Sequence, residues 1–350
     1  MALDDPRRRA QVSRFLTDHF RLTGAYDRAI ATAQRTLALA TVDGEVVRHA
    51  VHWYLGEVYA AQGDYHRALD YLGQAAAFFD GARRHERFGH VILPAVLSRA
   101  GLAWCHAELG TFSEGRALGE EGLRIAEAAD HPASLMYACW GGGLLALRQG
   151  DVPRALSLLE RAVSLCQEVA FSVYFPVMAA TLGEAYTLSE RITDAVPLLT
   201  QTIEQSTAVE NVYFETFCRV SMSTAQILAG HLEEAHTLAE RVLAFTRAHQ
   251  EGGHEAYALR LLGEIAARRE PPESAQAAAY YHQALTLAHE LGMRPLQAHC
   301  HRGLGTLYAT TGQWEQARTA LTTAIEMYQA MDMTFWLPQA EAALAQVEGR

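Results

Sequence analysis

Metal chemistry is the first possibility the residues raise: His85 and His90 bracket the stretch HERFGH, and His299, Cys300 and His301 stand in a row. A zinc-binding helix presents two histidines four residues apart on one face, and a spacing of five breaks that geometry. Three consecutive side chains diverge on a helix, His301 toward the core and His299 toward the inner side of the fold, so a site there needs ligands from another element. The stretch CWGGG, Cys139 to Gly143, sets three glycines in an apolar segment. Either adjacent helices pack unusually closely there or a ligand's backbone does. Nucleophilic and phosphate chemistry has less to draw on. No Gly-x-Ser-x-Gly occurs, no Cys–His pair can be assigned, and all 29 basic residues are arginine. A P-loop, a Schiff-base lysine or a kinase-type lysine therefore cannot be built. The residues predict no catalytic centre, no metal and no cofactor.

Composition narrows the class. Half of the residues are hydrophobic and 20% are charged, as in a folded globular chain. A net charge of −11 argues against a nucleic-acid surface, and the only basic cluster, Arg7 to Arg9, reads as a solvated helix start. The cysteines, Cys105, Cys139, Cys166, Cys218 and Cys300, form no CxxC pair and sit in apolar stretches, which predicts buried thiols in a reducing compartment. No apolar run approaches the roughly 20 residues that span a bilayer, and Met1 to Ala10 has no signal-peptide core. The expectation is a cytoplasmic chain without membrane contact.

The elements that position these residues form a repeat. A glycine recurs inside helical stretches with an alanine twelve residues later: Gly56 and Ala68, Gly143 and Ala155, Gly183 and Ala195, Gly305 and Ala317. Thr17 and Ala29, Ala103 and Gly115, and Ser223 and Ala235 keep the spacing; Gly263 departs, because Pro271 and Pro272 lengthen its turn and move its partner to Ala277. The second-slot residues, at 29, 68, 115, 155, 195, 235, 277 and 317, lie 39, 47, 40, 40, 40, 42 and 40 residues apart. Eight units at a period near 40 predict an all-α solenoid. Each unit reads as a hairpin. Turns at Gly63-Asp64, Gly110-Thr111, Gly150-Asp151, Gly230-His231 and Gly312-Gln313 offer a left-handed glycine to end the first helix, and Asp or Thr can cap the second. Pro94, Pro132, Pro176 and Pro295 fall at starts of first helices, where a missing amide donor does no harm. A helix-interior glycine costs about 0.5–1 kcal/mol against alanine. Close approach of the two helices at the small slots offsets this, since each flanking Leu or Tyr buried there contributes roughly 1.5–3 kcal/mol.

The order of Leu, Gly, Tyr, Gly, Ala and Ala in LGEVYAAQGDYHRALDYLGQA resembles the tetratricopeptide repeat, with helices longer than the minimal 34-residue unit. The resemblance implies a right-handed α-solenoid of eight hairpins over residues 1–333, followed by a capping helix and tail over 334–350, with Thr334 as its cap and Pro338 in its first turn. Phe335 and Trp336 would seat that helix. Stretches such as GEEGLRIAEAADHP, ALRLLGEIAARREPPE and LGMRPLQAHCHRGLGTLY resemble more closely the C-terminal repeat region of large bacterial signalling proteins, in which a class III cyclase or another effector precedes a STAND-type ATPase module. That likeness implies a regulatory or sensor segment. Neither catalytic module is matched by these residues.

In such arrays the first helices line a concave surface. Counted from the first slot, the inward positions are Arg14 and Asp18; Trp53 and Glu57; Trp104 and Glu108; Tyr137, Trp140 and Arg148; Glu184; Phe217; Tyr257, Arg260, Glu264 and Arg268; His299 and Arg302. Aromatics with arginine are the types that dominate binding energy. Two readings stand for the tryptophans, ligand contact or packing between superhelical turns. Arg260, Arg268 and Arg302 suit an acidic peptide, whereas the interleaved Glu264 suits internal salt bridges. The function expected is a non-enzymatic scaffold for a peptide or protein. The alternative is a small-effector sensor, as in maltose-type activators, marked by a closed hole near Trp104, Trp140 and Arg148 rather than a long groove.

Overall fold

The computed structural model describes residues 6–39, 44–169, 172–208 and 212–349. Its helices pair as the turn signals predict. The first four hairpins are α1 (Pro6–Leu22) with α2 (Tyr26–Leu39), α3 (Glu45–Gln62) with α4 (Tyr65–Phe78), α5 (Pro94–Leu109) with α6 (Phe112–Ala128), and α7 (Pro132–Gln149) with α8 (Val152–Glu168). The next four are α9 (Phe175–Leu188) with α10 (Ile192–Ala208), α11 (Val212–Leu228) with α12 (Leu232–His249), α13 (Gly252–Arg268) with α14 (Ser274–Glu290), and α15 (Arg294–Thr310) with α16 (Trp314–Ala330). A final helix, α17 (Leu337–Glu348), lays Val347 against Ala317 and Leu321 of α16. The turn glycines at 63, 110, 150, 230 and 312 all have positive φ. Asp64 and Asp151 cap α4 and α8 through the backbone amides of Arg67 and Arg154. Thr111 makes no such bond, and its hydroxyl meets His106 instead. Thr334 does not cap α17; the chain makes one more turn and Trp336 takes the capping position. The side chains of Arg7 and Arg8 lie outside the described residues, while Arg9 is exposed.

The internal glycine has a specific partner. A Cβ added to Gly56 would lie 2.5 Å from Leu72 Cγ, one added to Gly183 2.6 Å from Leu199 Cγ, and one added to Gly305 2.6 Å from Leu321 Cγ. At Gly143 the neighbour is Leu159 and at Gly263 it is the ring of Tyr281. Each of these large side chains stands four residues after the second slot, one helical turn on, and each is buried. Where the first slot is not glycine, the residue at that place is small: Thr17 is matched by Ala33, Ala103 by Gly119 and Ser223 by Ala239. Volume is therefore conserved within each hairpin, and the glycine exists to admit a Leu or Tyr, as close packing of protein interiors requires.

The superhelix closes on itself after five hairpins. A Cβ on Gly24 would meet Val212 and His249 of the sixth unit; on Gly63, the backbone nitrogen of Gly253 in the seventh; on Gly110, Pro295 and Met331 of the eighth; and on Gly150, Phe335 and Trp336 ahead of α17. Tyr26 in the first unit donates to Glu251 at the start of the seventh, at 2.8 Å. The second turn thus stands directly on the turn glycines of the first. Gly230 and Gly312 have no such neighbour among the described residues.

Candidate functional site

Because the turns stack, the inner ends of the odd-numbered helices meet protein rather than an open groove. Arg148 on α7 donates from Nε to Glu108 of α5 at 3.1 Å and from Nη1 to Glu184 of α9 at 2.7 Å. Tyr257, on α13 of the second turn, donates to the other Glu108 oxygen at 2.7 Å, and its ring lies under the Arg148 guanidinium at 5.0 Å. Burial opposes the charge on Arg148, but Glu184, Tyr257 and Glu108 outweigh it and hold its pKa well above the ordinary value. Burial and the Glu108 carboxylate push the Tyr257 phenol up. This node ties four hairpins and both superhelical turns together.

The aromatic stripe is correspondingly interior. Trp53, Glu57, Trp104, Glu108, Tyr137, Trp140, Arg148 and Tyr257 are all buried, and Glu184 is half-buried. Trp104 and Trp140 lie 6.5 Å apart, Trp140 donates to Thr181 at 3.1 Å, and Tyr137 packs on both Trp140 and Tyr174. A closed hole near Trp104, Trp140 and Arg148 is the mark of the small-effector alternative; among the described residues these contacts join the aromatic side chains there to one another and to Thr181. The three glycines of CWGGG serve the same closeness: a Cβ on Gly141 would lie 2.8 Å from Ala100 of the preceding unit.

Toward the C-terminal end the inner face is more open. Arg260 and Arg268 both bond Glu264, at 2.9 and 2.7 Å, and Arg302 reaches Gln339 of α17 at 2.7 Å. Burial raises the Glu264 carboxyl, yet Arg260, Arg268 and Arg302 together bring it below its usual value. His299 is not poised as a ligand. Its Nδ1 is 2.8 Å from the Tyr328 hydroxyl and its ring packs on Trp336; burial, with Arg302 and Arg260 nearby, holds its pKa well below the ordinary value. Cys105, Cys139, Cys166, Cys218 and Cys300 are buried thiols. Among the described residues no three His, Cys, Asp or Glu side chains converge as a metal site, and no helix is long and apolar enough to cross a membrane.

One cleft does open where the first turn meets the second. It has a volume of about 270 Å³ and lies between α1, α3, the segment 89–92 and the starts of α9 and α11. Its floor includes Trp53 and Tyr54, its far wall Tyr174 and Phe214, and its rim Phe15 and Val91, which are 57% and 56% exposed. Arg14 lines it, 3% exposed, with Nη1 3.1 Å from His90 Nε2 and its guanidinium 4.6 Å from the Phe15 ring centroid. Burial and the neighbouring Arg14 charge lower the His90 pKa to about 4. Asp18 accepts from Arg21 at 2.8 Å, and Arg21 also lies 4.0 Å from Glu57 and stacks over Trp53. The inward positions at Arg14, Asp18 and Trp53 were readable from the repeat. His90, Val91, Tyr174 and Phe214 were not, because they belong to inter-unit segments or to helix starts outside that pattern. The signal available was the 47-residue interval, whose surplus over the common 40 supplies His90 and Val91.

Tetratricopeptide-repeat family models match residues 254–330, the seventh and eighth hairpins, and residues 50–79, the second. No curated protein is matched by the sequence. Among solved structures, a Rap protein complexed with competence and sporulation factor is similar at 10% identity, covering 98% of each chain with a TM-score of 0.60. Aspartyl phosphate phosphatase F from Bacillus subtilis is similar at 14% identity over 80% of this chain and 70% of that one, with a TM-score of 0.56. NprR in complex with its cognate peptide NprX is similar at 16% identity over 81% and 82%, with a TM-score of 0.54. At these identities the likeness is one of fold: the chain is a tetratricopeptide-like helical solenoid.

Proposed function

We propose that the chain is a non-enzymatic receptor scaffold that takes a peptide or protein segment at the cleft between its two superhelical turns, and serves as the regulatory segment of a larger signalling ATPase or cyclase. The observation that carries this reading is the cleft itself, an apolar rim of Phe15 and Val91 left in water above buried aromatic and cationic groups. Two of the similar folds, Rap and NprR, are complexed with a factor or a peptide, which supports a binding role for this one. The signalling context rests on the likeness of the sequence to the repeat regions of such proteins. The volume limits the occupant without excluding a small effector. At about 270 Å³ the cleft falls below the roughly 300–1,000 Å³ of drug-sized sites, so it takes one side chain of a peptide or a compact effector.

The test is selection of heptapeptide pools and a panel of small metabolites on the immobilised full chain, with hits retested on Phe15→Asp and Val91→Asp. Loss of binding in variants that melt like the parent is expected. Hits indifferent to both substitutions, or no hits of either class, would refute the proposal.

A further inference from the structure

We infer that the cleft recognises a carboxylate carried on an apolar body, either a small organic acid or the C-terminal residue of a peptide. The inference rests on the cleft being the ligand site proposed above and adds the chemistry of what enters it.

Arg14 carries the weight. It is 3% exposed, and among the described residues its charge meets only the imidazole nitrogen of His90 and the face of Phe15 and its Nε has no hydrogen-bond partner. No Asp or Glu oxygen lies within ion-pair distance of it among the described residues, and the nearest acid on the same wall, Asp18, is occupied by Arg21. A guanidinium removed from water without a carboxylate is costly, and a carboxylate meets its fork of donors with two parallel bonds. A second donor points the same way. Trp53 is 5% exposed, lines the same cleft, and its indole N–H has no acceptor among the described residues. Both unsatisfied groups are donors, so the missing partner is an acceptor, and the unpaired cation makes it an anion.

The walls select the rest of the ligand. Leu22, Tyr54, Ile92, Leu97 and Phe214 offer carbon and ring faces, which suit an aliphatic or aromatic body rather than a phosphate or a sugar. The length of the chain between the second and third hairpins fits this assignment. The one markedly long interval of the repeat, 47 residues, is the one that places His90, Val91 and Ile92 over the cleft, with His90 orienting Arg14.

The experiment titrates the full chain, by calorimetry and tryptophan fluorescence, with 3-phenylpropionate and its amide. Matched Phe-ending hexapeptides with free or amidated C termini are titrated alongside. Acids are expected to bind about tenfold or more tightly than the matched amides. Arg14→Gln should weaken the acids by about the same factor while leaving the amides unchanged and the melting temperature no lower. Trp53→Phe, which keeps the ring but not the donor, should weaken the acids several-fold. Binding of the free acid alone identifies a small effector, and binding of the free-terminus peptide alone identifies a chain end. Equal binding of acid and amide, or indifference of the acids to Arg14→Gln, overturns the inference. If amidated peptides bind as well as free ones and are lost in Phe15→Asp, the receptor role stands and the carboxylate falls. If no acid and no peptide binds, both fall.

Discussion

The pairing of Gly183 with Leu199 predicts a large non-additivity. Gly183→Ala gains about 0.5–1 kcal/mol of helix propensity but puts a methyl 2.6 Å from Leu199 Cγ, well inside the 3.5–4.0 Å at which carbon atoms rest. Overpacking of this kind costs about 1–3 kcal/mol, so the single variant is expected to lose about 1–2 kcal/mol net. Leu199→Ala removes a fully buried side chain and is expected to cost about 2–5 kcal/mol through the cavity it leaves. In the double variant the methyl no longer clashes and the propensity gain is kept. That variant reproduces the small-with-small arrangement the chain already uses at Thr17 with Ala33 and at Ser223 with Ala239. It should therefore be more stable than the sum of the singles by about 1–3 kcal/mol. Urea unfolding followed by circular dichroism, with slopes compared across the four proteins, measures the coupling. A coupling within about 0.5 kcal/mol of zero would show that the two positions do not share volume, and the account of the internal glycine would be wrong.

Gly63→Ala and Gly312→Ala share a left-handed backbone and its cost of about 1–2 kcal/mol, but of the two only Gly63 abuts the second turn, where an added Cβ would lie 2.9 Å from the Gly253 nitrogen. The extra loss of melting temperature in Gly63→Ala reads the interlock directly, and equal losses would deny it. Glu108→Ala leaves Arg148 with Glu184 alone and is expected to cost about 3–5 kcal/mol, against about 1 kcal/mol for Tyr257→Phe; denaturant midpoints decide. His52, buried, has its pKa lowered to about 4 by desolvation, so the unfolded chain binds the proton first, near pH 6.5. Its contribution, on the order of 3 kcal/mol, is complete above pH 6.5 and is lost as the pH falls toward 4. His52→Gln should flatten the stability profile there by one proton, and an unchanged slope would refute this. Burial pushes the thiols of Cys218 and Cys300 up to about 12 and those of Cys139 and Cys166 to about 11. A thiol reagent at pH 8 should therefore label the native chain slowly and all five cysteines after unfolding; a fast native thiol would contradict the packing.

The hairpins were legible because each depends on chain-local chemistry: a left-handed glycine, an aspartate cap, a proline at a helix start, a small residue facing a small residue. Even the Leu or Tyr that the glycine admits can be found by stepping one helical turn beyond Ala68, Ala155 or Ala195. The number of hairpins per superhelical turn was not legible. It is set by a small rotation between units that no period reveals, and it decides whether Trp104, Trp140 and Arg148 line a groove or seal an axis. The cleft was half legible for the same reason. Arg14 and Trp53 stand at counted positions, while His90 comes from an aperiodic segment and Phe214 from the turn above.

Stacking by fives gives the molecule the property of a bolt thread, in which every crest must meet its own root. An array whose turns never touch can lose or duplicate a hairpin and remain much the same object. Here, removing the fourth or fifth hairpin would slide every later one back by a place. Gly24, Gly63 and Gly110 would then face partners shaped for a neighbour, and Tyr257 would be offered to the wrong carboxylate. Change inside such a protein has to proceed by substitution within hairpins, because a change in the number of interior ones would strip the thread.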